Sequence, residues 1–287
     1  MTNDHPVLQP LDARRLLRNA GLRPQKNLGQ NFLVDERALA LVASLADIGP
    51  EDTVLEIGAG LGGLTRHLAL RGKRVVALEI DPALIPLLRR VLAPFGNVAV
   101  VEGDFLALPV ERILGDPLPQ RYIVAANIPY YITSAIIRRL MEARIAPARI
   151  VLTVQKEVAE RICAPAGAMS LLAVSVQYYG APAICGNIPA SAFFPAPKVD
   201  SAVIRVDLDP AAARDPDATD RMFRVARAGF SQKRKMLRNT LAAGLHLPVK
   251  QVEDCLSRAG VDARRRAETL SVAEWIRLAE EFQREPA

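Results

Sequence analysis

Through roughly the first half of the chain, short and nearly unbroken apolar runs alternate with segments whose apolar residues recur at helical spacing. The runs at 53–57, 74–78, 98–101, 122–126 and 150–155 are four to six residues long and rich in valine, isoleucine, leucine and alanine. Apolar runs of that length, each followed by a polar or glycine-containing loop, predict strands buried on both faces. Between them, helical periodicity starts after Asp35 and runs to about residue 46, recurs over 134–143, and resumes from Lys156. A shorter helix is predicted over 12–20. Two later apolar stretches, 171–179 and 199–207, also read as strands. From about residue 209 the strands stop and helical spacing takes over. The expectation is an α/β domain over 1–208 followed by a small all-α domain over 209–287.

Composition adds little to the fold and something to the partner. With 287 residues, half of them hydrophobic and 24 % charged, the chain can bury one sizeable core plus a smaller one. A net charge of +6 points weakly to a polyanionic partner. Cys163, Cys185 and Cys255 lack metal-ligand spacing, and with only His5, His67 and His246 beside them no metal site is expected. Residues 162–197 carry no formal charge, but Pro165, Gly167, Gln177, Gly180 and Pro182 interrupt them well short of the ~20 residues a membrane span needs. The N-terminus has no basic-then-apolar signal pattern, so a cytoplasmic protein with reduced thiols is expected.

The candidate chemistry lies at strand ends. Gly58, Gly60 and Gly63 fit G-x-G-x-x-G between the first long strand and a helix, where the backbone must turn sharply and a ligand approaches it closely. The next strand ends at Glu79, a carboxylate placed to accept ribose hydroxyls of an adenosine. These features alone suit either a nicotinamide dinucleotide or S-adenosylmethionine. Glu56, just before the first glycine, favours the latter, because an acid there suits a methionine ammonium and repels a pyrophosphate. Asp104, after the third strand, offers an acceptor to an adenine amino group. The fourth strand delivers Asn127-Ile128-Pro129-Tyr130. The Asn127 amide oxygen and the Pro129 carbonyl supply two acceptors on one side of an exocyclic amine, turning its lone pair towards an electrophile, while Tyr130 offers a ring for stacking. This Asn-x-Pro-Tyr pattern resembles that of methyltransferases acting on adenine N6. An NAD-dependent oxidoreductase remains an alternative, although no catalytic His or Lys–Tyr arrangement accompanies the glycines. A non-catalytic RNA-binding or ribosome-assembly factor is another.

Two further stretches bear on a nucleic-acid substrate. The Pro-rich loop 188–201 carries Phe193 and Phe194; Phe193 is expected to close over a base opposite Tyr130, and Phe194 to pack. Residues 221–238 hold seven basic side chains and no acidic one, among them Lys233, Arg234 and Lys235. A charge run is usually a solvated face; beside an adenine-modifying site it becomes a phosphate-contact surface.

Taken with Gly29-Gln30-Asn31-Phe32-Leu33 and Phe230-Ser231-Gln232-Lys233-Arg234-Lys235, these motifs resemble, almost end to end, the bacterial dimethyladenosine transferases of small-subunit ribosomal RNA, the kasugamycin-sensitivity family. The resemblance implies a Rossmann-like class I methyltransferase sheet and N6,N6-dimethylation of two adjacent adenosines in a 3′-terminal hairpin loop of 16S rRNA. It also implies a role in small-subunit biogenesis and a monomeric enzyme. By that resemblance Asn31, Leu33, Gly58, Glu79, Asp104 and Asn127 hold S-adenosylmethionine, and Phe193 stacks on the target base with Tyr130. Ala59 departs from the proline common among relatives, without preventing the turn. Erythromycin-resistance methylases, which act on 23S rRNA, share the first half and are the alternative.

Overall fold

The computed structural model of the chain describes residues 8–128, 132–141, 143–209 and 215–283. It divides into two compact units, Met1–Ala159 with Ala183–Leu208, and Glu160–Pro182 with Asp209–Ala287. Residues 160–182, on the N-terminal side of the expected boundary, group with the second unit.

In the first unit, α1 (Ala13–Asn19), β1 (Phe32–Leu33) and α2 (Glu36–Leu45) precede the sheet. Asp35 caps α2 by accepting the Ala38 amide at 2.8 Å, an interaction worth ~1 kcal/mol at a helix start. Strands and helices then alternate: β2 (Thr53–Ile57), α3 (Gly63–Ala69), β3 (Arg74–Glu79), α4 (Ile85–Leu92), β4 (Val98–Glu102), α5 (Val110–Leu114), β5 (Tyr122–Asn127), α6 (Thr133–Met141) and β6 (Arg149–Gln155). After α7 (Lys156–Ile162) and α8 (Leu171–Gln177) come β7 (Gly180–Ile188), β8 (Phe193–Phe194) and β9 (Ser201–Leu208). The main sheet has the order β4-β3-β2-β5-β6-β9-β7, and β1 pairs separately with β8.

Strands β2 to β6 are parallel neighbours, and β9 runs antiparallel to β6, from Arg149 opposite Asp207 to Gln155 opposite Ser201. β2 and β5 are buried along nearly their whole length, which is why they read as unbroken apolar runs. Leu39, Val42 and Ala43 of α2 and Leu64 and Leu68 of α3 cover one core with Val54, Val75, Ile123 and Val151. A fully buried side chain of this kind contributes ~1.5–3 kcal/mol. From β2 the chain winds outward through β3 and β4, then returns to place β5 on the other side of β2. The carboxyl ends of β2 and β5 thus flank a topological switch point, where open α/β sheets bind ligands.

The second unit is helical: α8, α9 (Pro216–Gly229), α10 (Leu237–Leu245), α11 (Val249–Arg258) and α12 (Val272–Gln283). Trp275 of α12 is fully buried, its ring 5.5 Å from that of Phe230. Gly229 is required where α9 ends, because a Cβ there would lie 2.4 Å from Cη2 of Trp275.

One expected strand is a helix. Residues 171–177 form α8, begun by Ser170, whose hydroxyl accepts the Ala173 amide at 3.2 Å. Val174, Val176 and Tyr179 bury in the second unit and Tyr178 is half-buried there, with the rings of Tyr178 and Tyr179 5.4 and 5.9 Å from that of Phe223. A short apolar run fits either element, and packing decides. The strand comes later, as β7, where Pro182 and two glycines on a largely exposed sheet edge conceal it from a hydrophobic pattern. Among the described residues no helix is long and apolar enough to cross a membrane, and no group of side chains could hold a metal ion.

Candidate active site

A cleft enclosing about 950 Å³, part of it open to solvent, lies at the carboxyl edge of the first unit's sheet. Its walls come from the turn after β2, the end of β3, the end of β5 and the loop that leads into β1. Ala13 of helix α1 lines one side, and it packs in one cluster with Leu17, Phe32, Leu61, Leu84 and Leu87.

The turn after β2 needs its glycines. Gly58 and Gly60 have φ of 76° and 56°, and a Cβ on Gly60 would come within 3.0 Å of the Phe32 ring. The turn is also tied to β3: the Gly60 amide donates to Glu79 Oε2 at 2.6 Å, and the Gly58 and Ala59 amides donate to the Leu78 carbonyl. Glu79 Oε1 accepts the Asp81 amide at 2.9 Å. Burial pushes the Glu79 carboxyl up and the Asp81 carboxylate adds to this, while the Asp81, Gly60 and Ile80 amides pull it back. Each carboxylate oxygen can still accept a further hydrogen bond from a ribose hydroxyl.

Glu56 is 2 % exposed and also faces the cleft. Burial pushes its carboxyl up to about 8; the Thr65 hydroxyl tempers the rise and Glu79 reinforces it. As placed, neither Glu56 Oε2 nor Thr65 Oγ1 completes a hydrogen bond. A buried acid with an unpartnered oxygen is costly unless a cation or donor meets it. An acid for an ammonium, a backbone turn open to close approach and a carboxylate for ribose hydroxyls fit S-adenosylmethionine.

Asn127 ends β5, and its Nδ2 donates to the Asn31 carbonyl at 3.1 Å. A Cβ on Gly58 would lie 3.9 Å from the Asn127 carbonyl, so the two strand ends adjoin. Asn31 and Leu33 line the same cleft with Gly58, Glu79 and Asn127. Asp104 follows β4 at the same edge of the sheet, but it is not among the lining residues, and its Oδ1 accepts the Leu106 amide at 2.8 Å. Pro129 and Tyr130 lie outside the described residues.

Phe193 departs from its expected place, whereas Phe194 packs, in part, as expected. Phe193 is 4 % exposed, paired with Leu33 and packed in the core with Ile188, Ala192 and Val203. It therefore offers no open face to a base in this conformation. Phe194, expected to pack, is half-buried against the cluster that holds Phe32, Leu61 and Leu84, with the Arg14 guanidinium 4.7 Å from its ring centre. Alternation along a strand sends adjacent side chains to opposite faces, and the pairing with β1 decides which one enters the core. Lys233, Arg234 and Lys235 are exposed on the turn between α9 and α10 of the second unit. Sequence reasoning missed Asp81 and the part played by Gln30; a second acid two residues after Glu79 was the available signal.

A model of the ribosomal RNA adenine dimethylase family matches residues 21–284. A protein named ribosomal RNA small subunit methyltransferase A from Dehalococcoides mccartyi (strain CBDB1) is 40 % identical over 274 residues, covering 96 % of this chain and 94 % of its own. A protein of the same name from Pelotomaculum thermopropionicum is 40 % identical over 286 residues, covering 96 % and 97 %. Among solved structures, a dimethyladenosine transferase from Plasmodium falciparum aligns with a TM-score of 0.77 at 27 % identity, over 88 % of this chain and 97 % of that one. The 23S rRNA methyltransferase ErmE aligns with a TM-score of 0.71 at 31 % identity, over 88 % and 100 %.

Proposed function

The chain belongs to the ribosomal RNA adenine dimethylase family, and on that premise we propose that it uses S-adenosylmethionine to convert adenosines of 16S rRNA in the small ribosomal subunit to N6,N6-dimethyladenosine. The two targets would be the adjacent adenosines of a 3′-terminal hairpin loop, with a role in small-subunit biogenesis. The observation that carries this reading is the Asn127 amide, held at the Asn31 carbonyl beside a cleft lined by Glu56, Gly58 and Glu79.

S-adenosylmethionine, when bound, supplies an electrophilic methyl group on its sulfonium. Glu56 would meet its ammonium, Glu79 its ribose hydroxyls, and Asn31, Leu33 and Gly58 would hold the rest from the cleft wall. Asp104 would take the adenine amino group by giving up part of its local turn. Asn127 Oδ1 and the Pro129 carbonyl accept the two hydrogens of the target amine, and Tyr130 stacks on its ring. The chain needs no strong base, because the amine becomes acidic once methylated and can pass its proton to these oxygens or to water. Holding two reactants in a near-attack geometry contributes ~7–11 kcal/mol, more than proton transfer would add. Unstacking the target adenine costs a few kcal/mol, and stacking on an aromatic ring returns ~1–3 kcal/mol per base, which favours a loop over a duplex. The role given to Phe193 requires its ring to leave the core when RNA binds. Residues 209–287 are assigned to RNA, with Lys233, Arg234 and Lys235 on phosphates.

The likeness to ErmE supports a second reading, methylation of 23S rRNA. Incubating undermethylated ribosomes with the protein and labelled S-adenosylmethionine, then mapping dimethyladenosine by mass in both rRNAs, separates the two. Label confined to 23S rRNA refutes the first, and binding without incorporation leaves an assembly factor.

A further inference from the structure

We propose that Asp81 and Gln30 are positioning residues that set, through Asn31, which way the Asn127 amide faces. A carbonyl can only accept, so the 3.1 Å contact with the Asn31 oxygen requires the nitrogen of the Asn127 amide on that side and turns Oδ1 to the other. An amide flipped end for end has almost the same shape, yet it would offer donors where the reaction needs an acceptor. The orientation is therefore only as secure as the Asn31 carbonyl.

That carbonyl sits in a loop fastened from both sides. Downstream, β1 is only two residues long, paired with β8. Upstream, the Gln25 amide donates to Gln30 Oε1 at 2.7 Å, and the Gln30 amide returns to the Gln25 carbonyl at 3.2 Å. A backbone N–H can only donate, so the Gln30 oxygen must face Gln25, which leaves its Nε2 for Asp81 Oδ2 at 2.7 Å. Gln25 Nε2 reaches the same Oδ2 at 3.0 Å. Asp81 is 3 % exposed; its Oδ1 accepts the Ala83 amide at 3.0 Å and its own amide donates to Glu79 Oε1. Hydrogen bonds thus link Glu79 to Asp81 and Asp81 to Gln30, the peptide bond carries the path on to Asn31, and a last hydrogen bond reaches the Asn127 amide. Simple anchoring of a surface loop would not need a buried carboxylate carrying two side-chain amides on a residue whose own backbone amide is tied to Glu79. The path couples occupation of one end of the cleft to the orientation of the reacting end. It rests on the role given above to Asn127.

The test reverses the polarity of one bond. Gln30→Glu sets a carboxylate against Asp81, and Asp81→Asn sets a nitrogen against the Gln30 nitrogen. In the double variant a carboxylate at 30 accepts from the amide nitrogen at 81 and still accepts from the Gln25 backbone amide, while the Gln25 side-chain amide turns over to bring its oxygen to the second hydrogen of that nitrogen. Two readouts are taken. The first is solvent exchange of the Asn127 side-chain amide, followed by NMR on the protein alone. The second is the single-turnover rate of methyl transfer to undermethylated small subunits with S-adenosylmethionine saturating. Each single variant is expected to speed the exchange and to slow transfer by about 10²-fold, the scale of a ~1 Å misplacement. The double variant should recover both to within about threefold of wild type, as expected for directly coupled residues. A merely structural role would instead lower thermal stability and cofactor affinity, leave the rate at saturation unchanged, and show no recovery in the double variant. Either of those last two results, or an unaltered Asn127 signal in the single variants, overturns the proposal. If wild type itself methylates neither rRNA, the functional reading fails, and the amide exchange still decides whether the path exists.

Discussion

Replacing Glu56 by glutamine should make the protein more stable and its cofactor site weaker, two effects of opposite sign from one charge. The carboxyl is buried and its pKa is raised from 4.5 to about 8. Between those values the folded chain retains a proton that the unfolded chain has released, so stability falls as pH rises through the window and levels off above about 8. Each pH unit is worth ~1.4 kcal/mol, which accumulates to a ceiling of ~5 kcal/mol across the window. Glutamine is neutral throughout and occupies nearly the same volume, so the variant escapes this penalty. The gain over wild type should be small near pH 5 and reach several kcal/mol at pH 8.5, read as the shift in urea midpoint by far-UV circular dichroism. In calorimetric titration with S-adenosylmethionine the variant loses a charged hydrogen bond to the ammonium, worth ~1.5–3 kcal/mol, or roughly ten- to a hundredfold in affinity. Wild type should release close to one proton on binding near pH 7, because the bound ammonium favours the ionised carboxylate. Equal stability of the two proteins at pH 8.5, or equal affinity for the cofactor, would refute the reasoning.

Asn127→Ala should lower methyl transfer by about 10²-fold or more with cofactor saturating, the loss typical of one preorganised transition-state interaction; near-normal turnover on undermethylated small subunits rules out its assigned role. Reversing Lys233, Arg234 and Lys235 to glutamate should weaken small-subunit binding and flatten its dependence on salt by roughly 0.7–0.9 in log–log slope for each phosphate that no longer meets a cation. Cofactor affinity should be unaffected, and a drop there with subunit binding intact would give the basic turn a different task. Gly229→Ala forces a methyl towards the ring of Trp275, an overpacking expected to cost ~1–3 kcal/mol; an unchanged urea midpoint by Trp275 fluorescence would show that α9 and α12 separate freely.

Much of the site was legible because it is written in residues whose chemistry allows few other uses. A glycine-rich turn after an apolar strand, an acid at the next strand's end and Asn127 at another implied a ligand cleft from the sequence, and Asn31, Leu33, Gly58, Glu79 and Asn127 do line one cleft. Asp104 was legible as a strand-end acid, whereas its engagement with the Leu106 amide depends on how its own turn closes. Phe193 and Phe194 are adjacent and chemically identical, so only the pairing of β8 with β1 could tell which enters the core. The run at 171–177 shows the same limit, since its valines satisfy a helix that buries them as well as a strand would.

By itself the sequence determined the alternating strand and helix pattern, the helical C-terminal region and the types of group at each strand end, because periodicity and side-chain chemistry are local properties. Tertiary structure decided which strand ends meet, that residues 160–182 group with the helices, and that Asp81 fastens the loop carrying Asn31. Those outcomes depend on contacts between residues far apart along the chain, and a hydrogen bond spanning 51 positions from Gln30 to Asp81 leaves no trace in the pattern around either one.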